Sequence, residues 1–394
     1  MSKNNMVPSI RFKEFTNAWE QERFNNLYIF ASEGGTPSTF VEEYYKNGKI
    51  PFVKIEDTLK KYIYSTKNFI TELGLNKSSA WIIKKDNIIF TNGATVGNIS
   101  INKIDLSTKQ GILGIILKEN FNVEFIYYLL NTINFKNKIN QIKTKGTFDI
   151  LTLNNIDTIK INIINNKNEQ LNISNLLSKI DSLITLHQRK LNALENLKKT
   201  LLEKMFPSEN SVFPSIRFKE FTNAWEQERL GEIAKITNGK SNSNDSVKNG
   251  VYPFYIRSEE IRRSNKYLYD EEAIITIGEG NIGKVFHYVN GKFDLHQRCY
   301  KISNFNSKIY GKFFYYYFSQ NFYKRAIMDS SKATVDSIRL ETITGMAINI
   351  PISLKEQIKI STIFDFFDSL ITLHQRKLNA LENLKKTLLE KMFV

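Results

Sequence analysis

The stretch Asp181–Phe206 reads DSLITLHQRKLNALENLKKTLLEKMF, and the same letters return as Asp368–Phe393. The copies begin 368 − 181 = 187 residues apart, and all twenty-six positions are identical. Identity over this length does not arise by chance, and an internal repeat decides the architecture of a chain before any local feature does. We therefore interpret the 394 residues as two halves.

Each copy belongs to a longer amphipathic pattern that predicts a helix. Apolar residues recur at heptad spacing, interrupted by His187 and Lys198 in the first copy and by His374 and Lys385 in the second. The heptad positions are Ile173, Leu177, Ile180, Ile184, Leu191, Leu194, Leu201 and Met205, then Ile360, Phe364, Phe367, Ile371, Leu378, Leu381, Leu388 and Met392. We expect two rods of roughly 38 residues, about 57 Å each, in a coiled coil. Two separate amphipathic core helices are the alternative.

A second repeat opens each half. Pro8–Arg23, PSIRFKEFTNAWEQER, returns as Pro214–Arg229 at an offset of 214 − 8 = 206. From Gln110, which matches Gln297, to the end of each half the offset is 187 without a gap. The first half is therefore 206 − 187 = 19 residues longer in the segment before Gln110.

Between the repeats each half carries a segment of its own sequence. Short β-branched and aromatic runs cut by glycine and asparagine predict strands. The strand-like runs are Ile50–Ile55 with its counterpart Val251–Ile256, and Ile88–Ile99 with its counterpart Ile274–Val285. Aromatic helices are expected at Phe125–Asn140 and Gly311–Met328. A constant frame around a varying insert is typical of a recognition module.

These patterns predict an α+β chain with an internal twofold repeat, in which two variable domains of mixed α/β type are joined by two long helices. Trp19 and Trp225 are expected to anchor the two domains. The predicted divisions are 1–160 (first repeat and variable domain), 161–210 (first long helix), 211–350 (second repeat and variable domain) and 351–394 (second long helix).

Composition favours an intracellular protein with a polyanionic partner. The formal charge is +15, which suggests nucleic acid, although a chain rich in Lys, Asn and Ile is also what a biased genome gives. The only cysteine is Cys299, so no disulfide framework exists and a reducing cytoplasm fits. The apolar runs are too short to span a membrane, and the first residues carry no secretory signal.

One glycine-rich stretch imitates a nucleotide site. Gly278–Val285, GEGNIGKV, has the glycine and lysine spacing of a phosphate-binding loop, but Val285 stands where Ser or Thr should hold Mg²⁺. Residues of β type continue on both sides, so a β-turn is the better interpretation. Four histidines and one cysteine offer no zinc cluster. We expect neither a cofactor nor a metal nor a catalytic constellation in this chain.

What remains is a binding pattern of polar and basic side chains near the predicted turns of each variable segment. Arg reads guanine and Gln or Asn reads adenine in the major groove, whereas Lys and Ser more often hold phosphate. A solvated surface is the alternative. The candidate DNA-binding residues are Lys54, Asp57, Thr58, Lys60, Lys61, Thr108, Lys109 and Gln110 in the first half, and Arg257, Ser258, Arg262, Arg263, Asn265, Lys266, His296, Gln297 and Arg298 in the second.

The order of these motifs resembles the specificity subunit of type I restriction-modification systems. Each half has P-S-I-R-F-x-x-F-x-x-x-W-E at its head, I-P-F or Y-P-F early in the variable domain, and a glycine stretch (GATVGNI or GEGNIGKV) in its middle. K-[GA]-T-x-D follows, and then E-Q before the rod with D-S-L-I-T-L-H-Q-R-K-L. Their order, their duplication and their coverage of the whole length carry the resemblance.

The resemblance implies that each variable segment is a target recognition domain that reads one half of a split DNA site, and that the two helices pack antiparallel as a spacer. It implies double-stranded DNA as a partner, together with two modification subunits that use S-adenosylmethionine to methylate adenine at N6. Restriction subunits that use ATP and Mg²⁺ would join them. This chain would be a non-catalytic, cytoplasmic subunit that holds no cofactor itself.

Two rival interpretations stay open. A non-DNA adaptor with two variable ligand-binding domains on a coiled-coil scaffold explains the repeat and the rods, but not the basic balance or the motif order. A catalytic nucleic-acid enzyme is disfavoured because no active-site constellation can be found in the sequence.

Overall fold

The computed structural model describes residues 6–93, 95–142, 151–208, 211–330 and 337–394. The chain forms two compact units. The first unit comprises Met1–His187 with Lys377–Val394, and the second unit comprises Gln188–Arg376. Each unit thus combines one head repeat, one variable segment and parts of both long helices. The division at residues 160, 210 and 350 stays a prediction.

Both halves contain helices and strands. The helices are α1 Glu72–Asn76, α2 Val123–Leu130, α3 Ile133–Ile142, α4 Leu153–Asp157, α5 Lys167–Met205, α6 Leu230–Ile233, α7 Gly311–Ser330, α8 Leu340–Thr344 and α9 Leu354–Lys391. The strands are β1 Glu20–Arg23, β2 Tyr28–Glu33, β3 Ile50–Val53, β4 Tyr62–Ile63, β5 Phe69–Ile70, β6 Ile88–Thr91, β7 Ile99–Asn102, β8 Ser107–Thr108, β9 Ile112–Leu117, β10 Lys160–Ile163, β11 Glu226–Arg229, β12 Lys235–Asn238, β13 Tyr252–Tyr255, β14 Ile261–Ser264, β15 Tyr269–Ile277, β16 Phe286–Leu295, β17 Cys299–Ser303 and β18 Ala347–Ile350. Short 3₁₀ helices cover Phe24–Leu27, Glu42–Tyr44, Ile55–Leu59 and Ser243–Asp245.

The sheets confirm the α+β class. The first unit has a five-stranded sheet in the order β2-β9-β6-β7-β4, a three-stranded sheet in the order β5-β3-β8, and the pair β1-β10. The second unit has a six-stranded sheet in the order β12-β17-β15-β16-β13-β14 and the pair β11-β18. The predicted strand runs coincide with β3 and β13, and with β6 and the end of β15.

The second variable domain has one continuous strand where the first has two short ones, and this explains why the first domain has one sheet more. In the second unit β16 is ten residues long, and it pairs first with β15 and then, in parallel, with β13. In the first unit the same path breaks into β7 and β8. The break is held by Asn102, whose side-chain amide donates to the carbonyls of Lys84 at 2.7 Å and Ile104 at 2.9 Å. One asparagine side chain thus replaces the ladder that a longer strand would make.

The long helices α5 and α9 confirm the heptad prediction. In the first unit Leu177, near the start of α5, shares a core with Leu388, near the end of α9. In the second unit Phe206, just after α5, shares a core with Phe364, near the start of α9. The two helix segments are therefore antiparallel in each unit, as the resemblance implied.

The lysines that interrupt the heptads have acidic partners. Lys385 Nζ lies 2.6 Å from the Asp181 carboxylate in the first unit, and Lys198 pairs with Asp368 in the second. Because Asp181 and Asp368 are the same position of the repeat, one ion pair occurs twice. A charge at a heptad position fixes the pairing of helices, since any other register would leave it without a partner.

Each head repeat closes its unit over the end of a long helix. Trp19 packs edge-on against Phe125 at 5.8 Å and Phe393 at 5.9 Å in the first unit. Trp225 packs likewise against Phe313 at 5.7 Å and Phe206 at 6.3 Å in the second. Both tryptophans are 2% exposed, so they are core anchors as predicted.

The Glu-Gln pair lies in the first turn of each long helix, where both side chains are buried and hydrogen-bonded. Glu169 receives a two-pronged hydrogen bond from the Arg11 guanidinium, at 2.7 and 2.8 Å, and a third from the Trp19 indole N–H. Gln170 accepts from the Asn122 backbone N–H at 2.7 Å. Glu356 and Gln357 repeat this arrangement in the second unit with Arg217, Trp225 and Tyr310. The head repeat and the start of each rod are thus fixed to each other, because a buried carboxylate needs such partners.

The gap-free register expected after Gln110 is wrong at the aromatic helices. Phe125 and Phe313 occupy the same place against their tryptophans, and their offset is 313 − 125 = 188. By β10 and β18 the offset has returned to 187. The one-residue shift is therefore confined to the segment between β9 and β10 and its counterpart between β17 and β18.

The aromatic helix is also split in the first unit. α2 ends at Leu130 and α3 begins at Ile133, whereas α7 is continuous. The side chain of Thr132 causes the break, since its hydroxyl donates to the Leu129 carbonyl and accepts from the Phe135 N–H. The K-[GA]-T-x-D motif lies outside the described residues. Within the described ranges no helix is long and apolar enough to cross a membrane.

Candidate nucleic-acid interface

Each unit carries an open cleft at one edge of its main sheet. The first cleft has a volume of about 620 Å³ and the second about 490 Å³. Residues lining the first cleft include Ser32, Glu33, Asn92, Gly93, Lys109 and Gln110. Residues lining the second cleft include Arg257, Ser258, Glu260, Arg262, Glu279 and Asn281.

The strand register shows that the two clefts are equivalent. Thr91 pairs with Ile112 in the first unit, as Ile277 pairs with Cys299 in the second. The residues that follow β6 therefore match those that follow β15, and the residues before β9 match those before β17. Gly93 corresponds to Glu279 and Gly111 to Arg298, while the β3 and β13 registers make Ile55 correspond to Arg257. The clefts share a frame and differ in the side chains they present.

The glycine-rich stretch forms one rim of the second cleft. It connects β15 to β16, and Gly280 and Gly283 adopt φ values of +91° and +65°, which favour glycine. A strand follows it rather than a helix, and a phosphate cradle needs a helix N-terminus. The β-turn interpretation is confirmed.

Glu279, within that turn, joins two arginines from different segments. Its carboxylate lies 3.1 Å from Nη1 of Arg257 and also binds Nη1 of Arg298. The arginine side chains remain 47% and 54% exposed, whereas that of Glu279 is 22% exposed. The arrangement holds two cations side by side at the mouth of the cleft, where their mutual repulsion is offset by the shared carboxylate.

Two polar side chains near the arginines, those of His296 and Asp294, are buried. His296 is 4% exposed, and its Nδ1 accepts from the Arg298 backbone N–H at 3.1 Å. Burial, and then the neighbouring Arg257 and Arg298, lower the pKa of His296. The neutral ring is thus an acceptor that fixes the Arg298 backbone. Asp294, also buried, accepts from the Ser241 hydroxyl at 2.6 Å.

The other candidates of the second half surround this cleft. The Arg263 guanidinium donates to the carbonyls of Gly250 at 3.0 Å and Val251 at 2.9 Å, so it fixes a turn. Lys266 lies 3.2 Å from Asp245, and Arg262 lies 3.9 Å from Glu260. The remaining candidates are half-buried Ser258, exposed Asn265, and exposed Gln297, whose amide donates to Asn242 at 2.6 Å.

In the first half, several candidates have inward roles. Thr58 is buried in the 3₁₀ helix Ile55–Leu59, and Asp57 accepts from the Lys54 N–H that begins this helix. Lys61 lies 2.8 Å from Glu124 and 3.5 Å from Asp181, and it donates to the Tyr128 hydroxyl. These side chains bind the variable segment to the frame. Lys60 is exposed and Lys54 is half-buried.

The remaining first-half candidates lie at the first cleft. Lys109 and Gln110 are exposed on its rim, next to Glu33, which accepts from the Gly111 N–H at 2.6 Å. Thr108 is fully buried and donates to the Ile112 carbonyl. Sequence reasoning missed Glu33, Asn92 and Glu279. The stretch GEGNIGKV drew attention to the segment that contains Glu279, but only the structure shows that its carboxylate contacts Arg257 and Arg298.

The described residues hold no group of three or more His, Cys, Asp or Glu side chains that could bind a metal ion. Burial raises the pKa of the Cys299 thiol to about 12, so that residue is a core side chain. The polar groups that the clefts present are hydrogen-bond donors and acceptors on rigid strand ends. Such groups suit recognition of a polar surface.

Comparison with known proteins finds a match in both halves of the chain. A family model described as the type I restriction modification DNA specificity domain matches residues 17–196 and 222–383. The MjaIX specificity subunit of a type I restriction enzyme from Methanocaldococcus jannaschii is 26% identical over 405 residues, covering 95% of this chain and 92% of that protein. The EcoDI specificity subunit from Escherichia coli is 29% identical over 141 residues, or 36% of this chain and 30% of that protein. The crystal structure of a type I restriction-modification S subunit from M. genitalium matches with a TM-score of 0.71 at 18% identity, over 99% of both chains.

Proposed function

The chain belongs to the type I restriction-modification DNA specificity family, and we propose that it is the subunit that selects the DNA target of such a complex. Each variable domain reads one half of a bipartite target with the cleft described above. α5 and α9 set the spacing between the half-sites. The subunit performs no chemistry itself.

The observation that carries this proposal is a repeated frame with two unlike clefts. The buried Arg–Glu–Trp group, the Glu-Gln pair and the lysine–aspartate pair of the helices occur twice. The cleft positions Gly93 and Gly111 become Glu279 and Arg298 in the second unit. Two reading surfaces of different chemistry in equivalent positions are what a split, non-palindromic target requires.

Exposure selects which candidates we propose as DNA contacts. The exposed or half-buried ones are Lys54, Lys60, Lys109, Gln110, Arg257, Ser258, Arg262, Asn265, Lys266, Gln297 and Arg298. Thr58, Thr108 and His296 are buried, Asp57 and Arg263 hydrogen-bond to backbone groups of their own turns, and Lys61 is held between Glu124 and Asp181. We assign those six to shaping the surface. The net charge of +15 supplies sequence-independent attraction to the phosphates.

The proposal includes partners that bind the frame. Exposed leucines recur at the same positions of both helices: Leu186 and Leu373 are each 45% exposed, and Leu197 and Leu384 are 49% and 47% exposed. Equal apolar surfaces suit two copies of one partner. We propose that these are two modification subunits, which bring S-adenosylmethionine, and that ATP- and Mg²⁺-dependent restriction subunits join them. A cytoplasmic location follows, because host DNA lies there.

Base-resolved methylation of host DNA, with this gene intact and deleted, tests the proposal. We expect a split adenine-methylated motif that disappears on deletion. Exchange of residues 24–160 for the segment of another family member should then change one half-site only. A motif that is unaffected by deletion, together with no duplex binding by the purified complex, would favour the adaptor interpretation instead.

A further inference from the structure

The turn Gly278–Val285 lies outside the repeated segments of the chain, and its acidic residue, Glu279, lines the second cleft. Gly278, the residue before Glu279, is fixed by two backbone hydrogen bonds: its N–H donates to the Arg298 carbonyl at 2.9 Å, and its carbonyl accepts from the Ile338 N–H at 2.8 Å. Glu279 itself forms an antiparallel bridge with Ser337. The position of this carboxylate is therefore set by the sheet rather than by a flexible loop.

The contacts leave one side of each guanidinium available. Glu279 takes Nη1 of Arg257 and Nη1 of Arg298. Among the described residues, Nε and Nη2 of both arginines have no hydrogen-bond acceptor. The Nε–Nη2 edge is the pair of parallel donors with which arginine makes two-pronged contacts. In the major groove, guanine is the base that offers two acceptors, N7 and O6, on one edge.

We propose, on the basis of the function inferred above, that Arg257 and Arg298 read guanine in the half-site of the second unit and that Glu279 is the positioning residue that makes this reading specific. Without the carboxylate, two neighbouring cations would repel each other and turn toward phosphates, which attract any cation. With it, both guanidiniums are held in place before DNA binds, and the binding loses less conformational freedom.

The first cleft supplies a built-in comparison. Its equivalent positions are Ile55, Gly93 and Gly111, so it lacks both arginines and the carboxylate. It presents Lys109 and Gln110 instead. The inference therefore concerns one half-site only, and the other half-site serves as an internal standard in every measurement.

The test is base-resolved methylation of host DNA by the full complex carrying Glu279→Gln. Glu232→Gln is the matched control, because it removes the same charge from an exposed position of the second unit that does not line the cleft. We expect Glu279→Gln to lose guanine preference in one half-site by about 5- to 150-fold, the range for one good two-pronged contact. The other half-site stays intact, and binding to unrelated duplex is equal or tighter. Glu232→Gln keeps the original motif.

A second variant guards against misfolding. Arg298→Lys keeps the charge but not the paired donors, so it should also relax the guanine position while phosphate attraction persists. An unchanged motif with Glu279→Gln overturns the inference, as does loss of preference in both half-sites. If the unaltered complex produces no split motif, the proposed function fails, and the inference fails with it. If the unaltered complex produces the split motif and Glu279→Gln produces the same motif, the proposed function stands and only this inference fails.

Discussion

Replacing Phe393 by alanine should loosen the first unit, although Phe393 is the penultimate residue of the chain. Its ring is 7% exposed, stacks on Phe125 at 5.5 Å and meets Trp19 edge-on at 5.9 Å. Truncating a buried Phe to Ala costs about 3–5 kcal/mol, through lost transfer energy and the cavity left behind. Since Phe393 makes two ring contacts and lies near the surface, we expect about 3 kcal/mol.

The duplication provides the matched variant. Phe206 occupies the same position of the repeat in the second unit, is 3% exposed, and contacts Trp225, Phe313, Tyr317 and Phe364. With four ring partners, Phe206→Ala should lie near the upper end, at about 5 kcal/mol. Phe393→Leu, which keeps most of the volume, should cost less than about 1.5 kcal/mol.

Amide hydrogen exchange followed by mass spectrometry resolves the two units in one experiment. Phe393→Ala should speed exchange of the paired strands β1 and β10 by about 150-fold, as a loss of about 3 kcal/mol requires. β11 and β18 should be unchanged. Phe206→Ala should reverse this pattern. Faster exchange in β11 and β18 with Phe393→Ala, or no change in β1 and β10, would refute the assignment of the chain end to the first unit.

Further predictions follow from the repeat and the second cleft. Adding one heptad to both α5 and α9 lengthens each helix by about 10.5 Å. This should widen the gap between the two methylated half-sites by about three base pairs and leave the half-site sequences unchanged. An unchanged gap would refute the proposal that the helices set the spacing. A chain that ends after Phe206 carries its own Lys190–Phe206, identical to the Lys377–Phe393 that completes the first unit, so it should sediment as a homodimer; a stable monomer would contradict this. The pKa of His296 is lowered in the fold, first by burial and then by Arg257 and Arg298. The neutral ring therefore contributes stability that is present above the unfolded-state pKa and is lost as the pH falls through the folded-state pKa. Guanine preference should therefore weaken only as the pH falls below the ordinary histidine pKa of about 6.5, and His296→Asn should flatten that dependence; a flat profile in the unaltered complex would argue against a role for the ring.

The sequence was informative wherever a pattern is local or repeated. The heptads predicted α5 and α9, and short β-branched runs predicted β3 and β13, because helical and strand periodicities depend on neighbours along the chain. The repeat offsets predicted equivalent elements in both halves. The same offsets missed the one-residue shift at the aromatic helices, because only the ring contacts with Trp19 and Trp225 reveal it.

The parts that escaped prediction depend on contacts between distant segments. Lys61 looks like a surface lysine in sequence, but Glu124 and Asp181, which are brought in by two other elements, hold it inside. Phe393 completes the core around Trp19, a pairing that two identical repeats leave ambiguous until the helices are seen to be antiparallel. For the clefts, Arg257 and Arg298 were among the candidates, but the carboxylate that joins them was not. The candidate DNA contacts as a set stay predictions.

The placement of the repeated residues explains how two different reading surfaces can share one scaffold. The identical segments supply the buried interactions of each unit: the Arg–Glu–Trp group, the terminal Phe and the lysine–aspartate pair. The exposed polar and charged side chains of the clefts lie outside those cores. Stability and specificity therefore depend on different residues. The equivalent positions Gly93 and Glu279 illustrate this: the two clefts differ there, while the buried groups of the two units are the same.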